Sequence, residues 1–275
     1  RIAVIGAAAN LIIEVILING LGYGIGASAL ATVIAQVGTG LLFVHQIVGW
    51  ARAAGVGLAP DLSSIWSLAW LGRALVLRSI GLRGSFTLAA AVAARIGTAP
   101  LAAYQIAIQI WSTLTLALDA VAIAGQALTG RWLGAGAADK AKAAARRMIE
   151  LDVAVGAMAG VVIFLFRQPL AQIFSADPAV LTATATSLVW AAVAQPLNGY
   201  VFALDGILIG AGDMTYLGRT MMVSAALFAG LAWWLISDQR GLNWLWAALT
   251  VFMATRALFL WFRWRSDNWV VLGAG

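Results

Sequence analysis

The sequence predicts an all-α integral membrane protein with about eight transmembrane helices. Three observations carry this. The chain is 63% hydrophobic and only 10% charged, against about 25% charged residues in a soluble domain, so it has too few charges to cover a surface in water. Its mean hydropathy is +0.93. Its apolar residues come in runs near the roughly 20 residues that a bilayer-spanning helix needs, and glycine-, proline- and aspartate-rich breaks separate the runs.

Hydropathy places the helices at about 2–21, 25–49, 72–94, 100–128, 147–166, 180–209, 217–236 and 243–263. The first carries "ANLIIEVILI" and stops in the glycines of "GLGYGIG". The second starts at "GASALATVIAQ" and ends near Arg52. The long connection 50–71 contains "GVGLAPDLSSIWSLAW", which reads as a loop and an interfacial helix with Trp66 and Trp70 at headgroup depth. The third helix stops at "GTAP", the fourth at "GAGAADKAKAAARR" and the fifth at "FSADPA". The sixth stops at "GAGD", the seventh at "SDQRGLN", and a tail over 266–275 follows the eighth. Trp132, Trp244, Trp246, Trp264 and Trp269 fall near helix ends, as an aromatic belt requires.

Charge then excludes several functions. There is no cysteine and a single His45, so disulfide frameworks, thiolate metal sites and histidine zinc sites drop out. The net charge of +6 is scattered rather than clustered on one face, which points to topology and not to nucleic acid. With the first helix running outward, twelve basic residues fall inside and three (Arg95, Arg167 and Arg240) outside, which places the C-terminus in the cytoplasm. The glycines of "GAGAADKAKAAARR" follow a helix and lack a phosphate-loop lysine. With no paired metal-ligand motif and no Ser/His dyad, an enzyme is not expected. The chain opens on Arg1 inside an apolar run and reads as a piece of a longer protein. Residues 1–42 also align weakly, without gaps, on 219–260, as internal repeats do in secondary transporters.

Away from the ends of the predicted helices, three carboxylates stand out: Glu14, Asp119 and Asp205. A charged side chain at mid-span costs roughly 2.5–3.5 kcal/mol on insertion scales, so such residues face a bundle interior or an aqueous cavity. Asn10 precedes Glu14 by one helical turn and shares its face. About a turn near Tyr23, Glu14 and Thr32 lie at matching depth, roughly 13 Å in at 1.5 Å per residue. A carboxylate, an amide and a hydroxyl converging there suit a proton or a sodium ion. In the fourth helix Gln105, Ser112, Asp119 and Gln126 recur every seven residues, with Gln109 beside them. That seam is either interhelical glue or the wall of a substrate cavity. Asn198 and Asp205 share a face of the sixth helix beside Gly206, Gly210 and Gly212, and Asp213 reads as a solvated turn. Arg83 and Arg256 read as snorkelling toward helix ends.

The runs "AAYQIAIQIW", "LDAVAIAGQALTGRWLGAG" and "QPLNGYVFALDGILIGAGD", with "NLIIE" before "GASALATVIAQ", resemble the multidrug and toxic compound extrusion (MATE) family, and its DinF-like branch in particular. The resemblance covers essentially the whole chain. It implies a twelve-helix fold of two six-helix bundles, of which this chain supplies helices five to twelve. Residues 1–49 would end the first bundle, 50–71 would link, and 72–265 would form the second. It also implies a multi-pass, monomeric antiporter of a bacterial inner membrane. That antiporter exports small amphipathic or cationic organic compounds against H⁺ or Na⁺, with no cofactor and no nucleic-acid partner. By motif, the family's first-bundle cation site maps onto Asn10, Glu14 and Thr32, with Glu where Asp is usual. The family's helix-seven glutamate has no counterpart in "GSFTLAAAVAARIG". The alternatives are a flippase for lipid-linked oligosaccharides, which needs a cationic cavity, and a non-transporting membrane scaffold.

Overall fold

In the computed structural model, which describes residues 2–20, 22–55, 57, 59 and 61–273, the expected eight helices are all present. The described residues contain no strand. Two units form, Arg1–Trp66 and Ser67–Gly275.

In the first unit, α1 (Ile2–Val15) runs on into a π-helical segment, Ile16–Gly20, and α2 (Ile25–Ala53) returns beside it. A Cβ on Gly6 would fall on the Thr39 side chain, so the two backbones are close there. Ala31 and Ala35 are the buried face of α2.

The second unit holds most of α3 (Leu62–Ile96), then α4 (Thr98–Gly134), α5 (Ala138–Phe174), α6 (Pro178–Gly210), α7 (Met214–Ser237) and α8 (Leu242–Arg265). Two expected boundaries move. The stretch expected as a separate interfacial helix is the start of α3, because the lone Gly72 costs only about 1 kcal/mol and does not break a helix. Most of "GAGAADKAKAAARR" is helical too. Only 135–137 leave the helix, and the alanines, lysines and arginines that follow are strong helix formers. Elsewhere the stop signals act as read. Asp177 caps α6 by accepting from the backbone N–H groups of Ala179 and Val180, with Pro178 in the first turn. Gly136 and Gly212, at φ 71° and 78°, end α4 and α6.

Glycine sets the packing. A Cβ on Gly206 would fall on the Ala122 carbonyl, and one on Gly210 on the Gln126 carbonyl, so α4 and α6 touch backbone to backbone. Between helices in lipid, small residues serve this purpose, since burying apolar groups gains little there. Phe228, Phe252, Leu204 and Leu208 fill the centre. Leu116, Ile123, Ile173, Val193 and Trp233 face outward, more than 60% exposed, as a lipid-facing surface requires. Seven helices are long and apolar enough to cross a bilayer, and Ile2–Ile18 is a shorter apolar helix. Trp246 and Trp269 depart from the aromatic-belt expectation. Both are buried in the bundle, and Trp269 stacks on Trp264 at 5.1 Å.

Candidate functional site

In the hairpin of α1 and α2, Glu14 Oε1 accepts a hydrogen bond from Ser28 Oγ at 2.5 Å. The expected partner, Thr32, instead donates to the Ser28 carbonyl at 3.0 Å. The Gly6–Thr39 contact explains this. Eight residues on from Gly6 and eight back from Thr39, Glu14 lies opposite Ala31, one residue off the expected register. The π-helical segment contributes, because a wider helix advances less per residue and draws Glu14 toward the turn. Ser28 and Thr32 are one turn apart on α2, so both flank that level. Asn10 Oδ1 is buried without a hydrogen-bond partner. A groove alongside is lined by Gly6, Asn10, Gln36 and Thr39. The hairpin thus offers a carboxylate, a hydroxyl already bonded to it, and a free amide oxygen one turn away. These are oxygen ligands for a proton or a hard cation.

A second polar centre lies in the other unit. Asp205 Oδ2 accepts from Arg78 Nη2 on α3 and from Arg256 Nη2 on α8, both at 2.6 Å. Arg256 therefore does not snorkel. It is buried, with its guanidinium also against Met253 Sδ and near the Phe252 ring. Arg78, one of the twelve basic residues assigned to the inside, is the bridging member, because Asp119 on α4 lies within its electrostatic reach. Two arginines and two aspartates share this region, so its charges balance.

The α4 seam faces outward. Gln105, Gln109 and Asp119 are exposed, while Ser112 and Gln126 are half-buried. Among the described residues none of their side chains bonds to another helix, and Ser112 donates to the Gln109 carbonyl of its own helix. Polar groups in lipid are costly, so this face suits water. Asn198 is placed elsewhere, buried beside a cavity of ≈ 30 Å³ that Phe86, Trp111 and Trp246 also line. A space that size holds about one water, so no organic substrate fits there. Asp213 is not a free solvated turn either; it accepts from Arg263 Nε at 2.5 Å.

The sequence reading missed Ser28, Arg78 as a partner of Asp205, and Asp152. Asp152 is fully buried on α5. A predicted start at 147 leaves it near the helix end, whereas α5 begins at Ala138 and places it well inside.

Comparison with known proteins follows the same lines. A family model described as MatE matches residues 74–234. "Protein DETOXIFICATION 43" of Arabidopsis thaliana is 33% identical over 258 residues, which cover 93% of this chain and 48% of that protein. "DNA damage-inducible protein F" of Escherichia coli is 30% identical over 278 residues, 97% of this chain and 59% of that protein. The chain thus spans about half the length of the curated relatives it matches. A crystal structure titled "Crystal structure of MATE in the straight conformation" superposes with a TM-score of 0.85 at 20% identity, over 98% of this chain and 62% of the other.

Proposed function

Because the chain belongs to the MATE family, we propose that it is part of a secondary antiporter that exports small organic compounds in exchange for H⁺ or Na⁺. The observation that carries this reading is the hydrogen bond from Ser28 to Glu14, in a helix that otherwise offers only apolar side chains and Asn10. A carboxylate at that depth must gain something from its site to offset its cost. Loading a cation on Glu14 changes what the carboxylate can accept, and with it the tie between α1 and α2. Alternating access follows if that tie differs between the inward- and outward-facing states.

The water-suited face of α4, with Asp119 and its glutamines, is the proposed wall of the substrate path. The charge balance around Asp205 supplies no cationic cavity of the kind a pyrophosphate-linked lipid needs, so the flippase reading gains no support from it. Bacterial inner-membrane residence, a cytoplasmic C-terminus and a monomeric state belong to the same proposal.

The test is Glu14→Gln in the full-length protein, reconstituted in vesicles with a fluorescent organic cation as cargo. Efflux driven by an imposed proton or sodium gradient is expected to stop, while gradient-free cargo binding persists. Undiminished gradient-driven efflux overturns the assignment, and comparing the two gradients decides the coupling ion.

A further inference from the structure

The seam between α5 and α6 is a close, buried crossing that carries polar residues. A Cβ on Gly199 would fall on the Asp152 carbonyl, and one on Gly156 on the Gln195 carbonyl. One on Gly160 would meet the Ala192 carbonyl. The pairs step in opposite directions along the two helices, so the backbones touch over two turns. Pro196 adds to this polarity, because it has no N–H to give to the Ala192 carbonyl four residues earlier.

Two buried polar residues belong to this crossing, Asp152 and Gln195, both 0% exposed, and Asn198 beside them on α6 is 1% exposed. Neither carboxylate oxygen of Asp152 has a hydrogen-bond partner among the described residues. The same holds for both amide atoms of Gln195 and for Asn198 Oδ1. Among the described residues Asp152 has no ion-pair partner. On α4 the charged neighbour is Asp119, of like sign. Along α6, Asp205 is held by Arg78 and Arg256. On α5 itself, Glu150 is taken up by Arg147.

An ionised carboxylate in that setting has no protein partner among the described residues, and an uncompensated buried charge is prohibitively costly. Backbone contact along the seam leaves little room for the six or more oxygens that a hard cation gathers, and the described residues hold no cluster of three acidic, histidine or cysteine ligands. The ligand that fits so closed a space is a proton, taken from water onto one carboxylate oxygen and returned to water on release.

We propose that Asp152 is a proton-binding site whose exchange with water requires the α5/α6 seam to part, so that charge on Asp152 and separation of these helices are one event. Asp152 belongs to the second unit and Glu14 to the first. Its use in transport rests on the antiporter reading, but its chemistry does not.

Infrared difference spectroscopy of the full-length protein tests this. A neutral-carboxyl band is expected in the wild type, lost in Asp152→Asn and kept in Glu14→Gln. Gly199→Ala, which wedges the seam, is expected to make that band titrate more readily. Retention of the full band in a folded Asp152→Asn protein overturns the proposal. Should Asp152→Asn fail to fold, ¹³C-aspartate labelling of Asp119→Asn decides. A labelled band supports the site, and the absence of any aspartate band overturns it. Loss of Glu14-dependent efflux with the Asp152 band intact sinks neither claim's chemistry, so the two readings fail separately.

Discussion

Arg256 on α8 and Arg78 on α3 donate to the same oxygen of Asp205, each at 2.6 Å. One aspartate therefore holds together three helices that are far apart in sequence. Its removal leaves Arg78 and Arg256 without the carboxylate they share, whereas removal of one arginine leaves Asp205 paired with the other.

The order of damage follows. Asp205→Asn is expected to lower stability by about 3–5 kcal/mol, the cost of stranding buried charge. Arg256→Met, which keeps apolar volume and leaves Asp205 paired with Arg78, is expected to cost clearly less. Thermal unfolding in detergent measures both; equal losses, or the reverse order, contradict the shared-oxygen arrangement.

Glycine substitutions separate contact from open face. Gly206→Ala and Gly199→Ala push a methyl into neighbouring backbone and are expected to cost about 1–3 kcal/mol or more through forced separation of helices. Gly230→Ala, with nothing within 4 Å, is expected to be neutral or stabilising by up to about 1 kcal/mol. Midpoints of thermal denaturation decide, and a Gly206→Ala protein as stable as Gly230→Ala is incompatible with the α4/α6 contact.

At the hairpin, the hydroxyl that bonds to Glu14 is that of Ser28. Ser28→Ala is expected to impair gradient-driven efflux by several-fold, as the loss of one hydrogen bond to a charged group, roughly 1.5–3 kcal/mol, implies. Thr32→Ala, whose hydroxyl serves its own helix, is expected to have the smaller effect. Efflux measured against coupling-ion concentration distinguishes them.

The tail after α8 is structural. Trp269 is 1% exposed and stacks on Trp264, so Trp269→Ala is expected to cost about 3–5 kcal/mol. Lys142→Ala removes an exposed pair with Asp267 and is expected to cost less than about 1 kcal/mol. Unfolding of the two variants side by side checks the contrast.

Sequence made the helices legible because hydropathy and end signals are local. The face shared by Asn10 and Glu14 was legible too, since one helical turn fixes it. The partner of Glu14 was not, because a register one residue off hands the bond from Thr32 to Ser28, and only the Gly6–Thr39 contact sets that register. The partners of Asp205 lie 127 and 51 residues away, beyond any local pattern. One signal was present, however. Arg256 in an apolar helix has the same cost as Asp205 in another, and two such costs cancel when the residues meet. Asp152 was lost to a helix boundary placed nine residues late.

The connections of the second unit are very short. Gly97 alone joins α3 to α4, and 135–137, 175–177, 211–213 and 238–241 join the rest. Three extended residues reach about 10–11 Å, while packed helix axes stand about 8–10 Å apart. Sliding one helix past its neighbour by a full turn of about 5.4 Å would pull such a link almost straight. The helices are tethered end to end, so a working cycle in this half has to be a matter of leaning about fixed tips, like rods laced at alternate ends.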